Sequence, residues 1–327
     1  MNLKGDLYKM DCLKIKDFNQ GMRIEGIYLI KSLDFKTTNS NNKKYIDLYL
    51  CDKTGEINAK FWDAKDEDRD RLKENFLAKV SGVVLAWQGT LQLKVDSISN
   101  LEDMEGIDIE EYVQCAPYKS EDMLEAIYRY INSMKNKELK DITSYFIEEN
   151  KERLMYYPAA KKNHHALRGG LLYHTLTMLK SGEALSNIYT FLNKELLYAG
   201  IILHDMCMMD EMDSNTLGFV KEYSVQGQLL GHISLGVGKI EYVGESLGIS
   251  KEITMLLKHM VLSHHYEPEY GSPVKPMIPE AEMLHYLDIM DARMYDMEKA
   301  LKSTSVGEFS ERIWSLENRK VYRPSFE

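Results

Sequence analysis

Nine histidines fall between residues 164 and 285, and the first 163 residues contain none. Several sit at the end or in the middle of words that read as buried helix. His174 follows "GGLLY", His204-Asp205 closes "AGIIL", His232 lies in "LLGHISL", and His264-His265 closes "MVLSHH". Asp288 sits in "LHYLD" in the same manner. A lone imidazole on an apolar helix is ordinarily a satisfied core residue. Ionisable groups are rarely buried without a partner, however. A metal centre shared between helices would satisfy all seven of these imidazoles and carboxylates together. His259 and His285 read as structural.

The elements that must position this set are helices. "DMLEAIYRYINSM" repeats Leu124, Ile127 and Ile131 at spacings of three and four, and further helices fit 165–187, 193–205, 227–247, 250–264 and 280–302. The second domain, 121–327, is therefore expected to be all-α. The first hundred residues read differently. "KYIDLYLC" and "EINAKFW" alternate apolar and polar residues across a turn at Gly55, a charged segment from Lys65 to Phe76 has helical character, and "AKVSGVVLAW" and "LQLKVDSI" flank the tight "WQGT". Three strands, a helix and two strands is the chain order of an OB-fold, a five-stranded barrel. This domain is placed at 1–105. An acidic stretch with Pro117, residues 106–120, is expected to link the two.

A chain of 327 residues can support two such cores. Its net charge of −10 discourages indiscriminate coating of nucleic acid. The acidity is uneven: residues 1–100 hold 17 Lys+Arg against 15 Asp+Glu, so most of it lies further on, where divalent cations would gather. Four cysteines, at 12, 51, 115 and 207, form no CxxC pair, which argues for a reducing compartment and against a disulfide frame. No stretch approaches the roughly 20 apolar residues of a membrane span. "MNLKGDLYKMDCLKIKDF" lacks a signal-peptide core, so a cytoplasmic location is expected, with no membrane partner.

The order H…HD…H…HH…D, at His174, His204-Asp205, His232, His264-His265 and Asp288, resembles the HD superfamily of metal-dependent phosphohydrolases. Together with the barrel-like first domain, "NHHALRGGLLYHTLTML", "LLGHISL", "LSHHYEPEYGSPV" and "AEMLHYLDIMDAR" are similar to the YhaM-type 3′-to-5′ exoribonucleases over nearly the whole chain. The resemblance implies hydrolysis of phosphodiester bonds in single-stranded RNA, with DNA left open as a lesser alternative, and one or two bound ions. The mixed imidazole and carboxylate donors suit Mn²⁺ or Fe²⁺ better than Mg²⁺. His174, His204 and Asp288 would hold one ion and His232, His264 and His265 the other, with the catalytic Asp205 as bridge across the about 3.5–4 Å between them. If one ion binds, the second trio would contact phosphate. His164, His165, Arg168 and Arg293 are candidate substrate contacts. A homo-oligomer is left open.

The chain departs from the family word HD-x-G-K, because Cys207-Met208 stands where glycine and lysine are usual. Tyr266 and Ile289 replace a usual glycine and asparagine. The cage is thus kept while phosphate handling is altered, and Arg168, Lys161, Lys162 or Arg293 could supply the missing cation. In the barrel, Tyr45, Tyr49, Lys60, Trp62, Gln92 and Lys94 share one parity, opposite the aliphatic set. Rings mixed with lysine suit single strands, since bases stack and phosphates meet ammonium groups. The flanking loops would be 35–44 and 87–90, the latter with Trp87. Two other readings stay open: a phosphohydrolase of small nucleotides, and a nucleic-acid-binding protein whose metal is only structural.

Overall fold

Alternation decides the first unit. Ile46, Leu48 and Leu50 point inward from one strand, Ile57 and Ala59 from the next, and Val80, Val84 and Leu93 from two more, all buried. The computed structural model describes residues 13–38, 42–62, 64–101, 103–162 and 165–326. The expected loop tip at 39–41, Cys12 with the residues before it, and His164 lie outside these. The strands are β1 (Arg23–Thr37), β2 (Lys44–Asp52), β3 (Gly55–Trp62), β4 (Phe76–Trp87) and β5 (Thr90–Asn100), with a short helix α1 (Glu67–Arg71) between β3 and β4. They close into a barrel in the order β1-β2-β3-β5-β4, antiparallel except for β3 against β5. That is the OB-fold expected from the chain order. A bulge in β4 at Ser81/Gly82 depends on the glycine: a Cβ there would lie 2.3 Å from the Lys94 carbonyl.

The expected linker, residues 106–120, divides between the two units. The chain divides into units Met1–Gln114 and Cys115–Glu327. Residues 106–114 belong to the first unit because Glu111 binds Lys14 and Lys53 through its carboxylate and the Lys53 N–H through its carbonyl. Residues 115–120 belong to the second, where Cys115 pairs with Arg168 and the Ala116 N–H donates to the Arg168 carbonyl.

The second unit contains α2 (Ser120–Ser133), α3 (Lys137–Leu154), α4 (Gly170–Ile188), α5 (Lys194–Leu203), α6 (Met208–Glu211), α7 (Val225–Leu247), α8 (Lys251–Ser263) and α9 (Pro279–Lys302). Two features add to the expected helical array. Helix α3 packs Leu139, Ile142, Phe146, Ile147 and Leu154 into the core. A hairpin, β6 (Met212–Ser214) and β7 (Val220–Tyr223), interrupts the helices between α6 and α7. Helix α5 is buried from Leu196 through Leu203, so the elements around it enclose it and its C-terminal end emerges inside the unit. Among the described residues no helix is long and apolar enough to cross a membrane.

Candidate metal centre

Five elements deliver the cluster. His174 lies on the buried face of α4 with Leu171, Leu172 and Thr175. Helix α5 starts where the Asn193 side chain accepts the N–H groups of Glu195 and Leu196, and it ends with His204 as its C-terminal cap, followed by Asp205. His264 caps α8 in the same way. Asp288 and Asp291, one turn apart, share a face of α9. His232 follows a bend in α7 at Gly231, where φ is 70° and ψ 159°, backbone that residues with a side chain essentially never adopt.

Asp205 stands between two imidazole groups. Its Oδ2 lies 3.5 Å from His204 Nε2 and 4.0 Å from His174 Nε2, and its Oδ1 lies 3.5 Å from His232 Nε2 and 3.6 Å from His264 Nε2. Asp288 Oδ1 is 3.4 Å from His174 Nε2. The His265 ring lies 4.1 Å from that of His264 and 5.2 Å from that of His232. Donor atoms of His174, His204 and Asp205 lie within 4.8 Å of one another, as do those of Asp205, His232, His264 and His265.

The other nitrogen of each ring is already engaged. Nδ1 of His204, His264 and His265 donates to the carbonyls of Ile201, Val261 and Tyr270 at 2.8, 2.7 and 2.7 Å. Nδ1 of His174 donates to Asp291 at 2.8 Å and Nδ1 of His232 to Glu211 at 2.5 Å. Acceptors on Nδ1 fix the tautomer, so a neutral ring turns the lone pair of Nε2 toward the shared space. There the buried Nε2 atoms of His204, His232 and His264 and Oδ1 of Asp205 make no hydrogen bond to a described residue. Orphaned buried acceptors are costly, and a divalent cation satisfies every one of them. The donor set fits such an ion.

The electrostatics match. Burial disfavours charge on Asp205, but the imidazoles of His204, His264 and His232 outweigh it and hold the carboxyl well below the usual range. Asp288 and Asp291 are lowered likewise by His174, with His165 acting on Asp291. Burial pushes His204 and His264 down and takes His265 to about 4. His174 goes the other way: burial opposes its charge, but Asp288 and Asp291 raise it to about 10.

The structure brings together His174, His204, Asp205, His232, His264, His265 and Asp288, and it relocates the expected substrate contacts. His165 is buried, donates or accepts at Asp291 Oδ2 at 2.7 Å, and packs 4.1 Å from the Tyr295 ring. It is therefore a support behind His174 and not a surface contact. The Arg293 guanidinium is held by Glu317 at 2.7 Å, and Arg168 Nε donates to the Thr216 carbonyl at 3.1 Å. Lys161 donates to the Lys221 carbonyl, while Lys162 is exposed. His259 accepts from the Met277 N–H, and His285 Nδ1 donates to the His264 carbonyl, both structural as expected. Cys207 is buried, its thiol pushed up to about 12 by burial, with Sγ 4.0 Å from where a Cβ on Gly236 would be. Arg153 pairs at 3.0 Å with Asp210, two residues after Met208, and Lys239 pairs with Glu149 at 2.8 Å. Glu211 and Asp291 escaped the sequence reading. Only the spacing of Asp291 three residues after Asp288 hinted at one of them.

The barrel face forms its own network. Tyr45 and Trp62 are cross-strand partners with rings stacked 4.8 Å apart, and Lys60 Nζ lies 5.2 Å from the Tyr45 ring. Asp47 accepts from Lys36, Asn58 and Lys60 at 2.7, 2.8 and 3.0 Å, and Gln92 donates to Asn58. Burial works against the Asp47 charge, but these donors prevail and lower it to about 2. Tyr49, Trp62, Trp87 and Lys94 stay exposed. Phe61 packs partly buried against the core.

Comparisons with known proteins agree with both units. Residues 171–293 match the HD domain and residues 29–101 the OB-fold nucleic acid binding domain. Over 312 residues, 95% of both chains, the sequence is 42% identical to the 3′-5′ exoribonuclease YhaM of Geobacillus sp. (strain WCH70). Among solved structures, the second OB-fold domain of replication protein A from Methanococcus maripaludis matches 28% of this chain and 95% of its own, at 21% identity and a TM-score of 0.24. The OB domain of Ta0387 from Thermoplasma acidophilum matches 28% of this chain and 87% of its own, at 21% identity and a TM-score of 0.24.

Proposed function

Because the chain belongs to the YhaM family of 3′-to-5′ exoribonucleases, we propose that it shortens single-stranded RNA, in preference to DNA, from the 3′ end in a reaction that uses two Mn²⁺ ions. The observation that carries this reading is the division of Asp205, one oxygen toward His174 and His204 and the other toward His232 and His264. His174, His204 and Asp288 would hold one ion, His232, His264 and His265 the other, and Asp205 both. Bound in pairs, such ions bring the pKa of water to about 7 and offset charge growing on a phosphate. The chain itself contributes rigidity. Asp291 and Glu211 hold two rings from behind, and backbone carbonyls hold the other three, so no reorganisation is needed when the substrate arrives. Met208 brings no charge to the phosphate. In the barrel unit, exposed rings would stack bases and Lys94 would meet the backbone. The scattered cysteines are in keeping with a cytoplasmic setting.

A time course on one RNA labelled at either end, with Mn²⁺ added, tests the reading. The 5′-labelled strand should shorten as a ladder, and the 3′-labelled strand should release labelled mononucleotide at once. Asp205→Ala should lose both bound metal and hydrolysis. Turnover of mononucleotides without cleavage of RNA would assign a small-nucleotide phosphohydrolase instead, and no cleavage with any of several metals would leave a binding protein.

A further inference from the structure

The buried ligands His174, His204 and His264 form the floor of the cluster, whereas Asp205, His232, His265 and Asp288 are partly exposed. Two of these partly exposed residues, His232 and His265, lie on neighbouring segments. These segments are joined: the two rings are 5.2 Å apart, the Tyr270 carbonyl holds His265 Nδ1 at 2.7 Å, and a Cβ on Gly271 would lie 3.3 Å from Ile233 Cδ1. Leu229 and Leu230 sit immediately before the bend at Gly231 and are 77% and 56% exposed. Tyr270 is 72% exposed. Isolated exposed apolar residues are ordinary. Here two leucines precede His232 by two and three residues, and a ring belongs to the residue whose carbonyl holds His265, and the polar cluster accounts for none of them.

We propose that Leu229, Leu230 and Tyr270 seat the terminal nucleoside of the strand, next to the phosphodiester that the cluster addresses. The proposal rests on the reading of RNA as substrate. Imidazoles and carboxylates around an ion can engage the phosphate but offer a base nothing. An enzyme that removes successive nucleotides of mixed sequence needs a contact blind to base identity, and a ring face with aliphatic neighbours provides one because every base has a π-face. The bend ties this seat to the metal ligands. No atom lies within 4 Å of a Cβ on Gly231, so the glycine serves its backbone conformation and not a lack of room. The bend sets the direction of Leu229-Leu230 independently of the helix that carries His232.

The test compares Leu230→Ser, Tyr270→Ala and their combination with Tyr270→Phe, which keeps the ring. Four measurements are made: KM for a short single-stranded RNA, KM for the same RNA ending in an abasic nucleotide, which has no ring to stack, hydrolysis of bis(p-nitrophenyl) phosphate, and binding of a labelled trinucleotide in EDTA. The combined variant should raise the RNA KM about tenfold relative to the abasic-ended RNA and weaken trinucleotide binding to a similar degree. Tyr270→Phe should behave as wild type. RNA cleaved by wild type and by the combined variant with the same KM and the same trinucleotide affinity overturns the seat alone. Aryl diester hydrolysed by wild type while RNA is not cleaved removes the substrate reading and the seat together.

Discussion

In the helical unit, five imidazole rings each commit one nitrogen to a fixed acceptor and turn the other into a common space. In the barrel, the polar side chains of the exposed face spend their bonds on one another, with Lys36, Lys60 and Asn58 all converging on Asp47. The first arrangement leaves buried acceptors without hydrogen bonds, and the second leaves only ring faces and outer charges. The difference is the one that the proposed occupants would require. An ion has one charge distribution and demands donors at fixed places. A strand of changing sequence offers only faces and phosphates in common, so its platform must be stiff but unspecific.

The comparison can be broken first at the cage. If Asp291 and Glu211 orient His174 and His232, then Asp291→Asn and Glu211→Gln should each weaken metal binding or activity by about 10–100-fold. Competition with a chelator measures it, and Mn²⁺ affinity equal to wild type in both would reduce the two carboxylates to packing. A second effect concerns protons. In the metal-free protein His174 is raised to about 10 because Asp288 and Asp291 outweigh the opposing burial. Below that pH the ring carries a proton, and a ligand must be neutral, so metal binding at pH 7 should expel at least one proton, since Glu211 and Asp205 also raise His232 against burial. Apparent affinity should then rise by about tenfold or more per pH unit. Calorimetry at pH 7 in two buffers of different ionisation heat should give different heats of binding; identical heats would show that no proton leaves. The smallest effect belongs to the barrel. Trp62→Ala removes one stacking face, worth about 1–3 kcal/mol per base, and should weaken a long RNA roughly fivefold while a dinucleotide is cut as before. Equal losses on both substrates would make Trp62 a support for Tyr45 and the fold.

The sequence showed the members of the buried cluster clearly and their supports hardly at all. An imidazole in "AGIILHD" stands out because its surroundings are apolar, and period-two alternation separates Ile46 from Tyr45 just as plainly. Glu211 and Asp291 carry no such contrast, because carboxylates near helix ends and in charged helices are common. They matter through contacts 21, 117 and 126 residues away along the chain. Helix α3 was hidden by its charges, although Leu139, Ile142, Phe146 and Ile147 keep the helical period. The bend at Gly231 left no mark beyond one glycine in an apolar run. His165 misled for the opposite reason: beside another histidine in a polar loop it suggested contact with substrate, and burial against Tyr295 was not readable.

The grip of Glu111 on Lys14 and Lys53 has a practical side for anyone dissecting the chain. A fragment ended at residue 105, where composition suggests a boundary, would strip two lysines of their shared counter-ion and leave the Lys53 amide without its carbonyl acceptor. One ended at Gln114 keeps the clasp. The complementary fragment should begin at Cys115, because its first two residues pair with Arg168, which stands just ahead of the helix that carries His174. The scissors belong at one peptide bond, and a cut made nine residues early would take the clasp from the barrel unit.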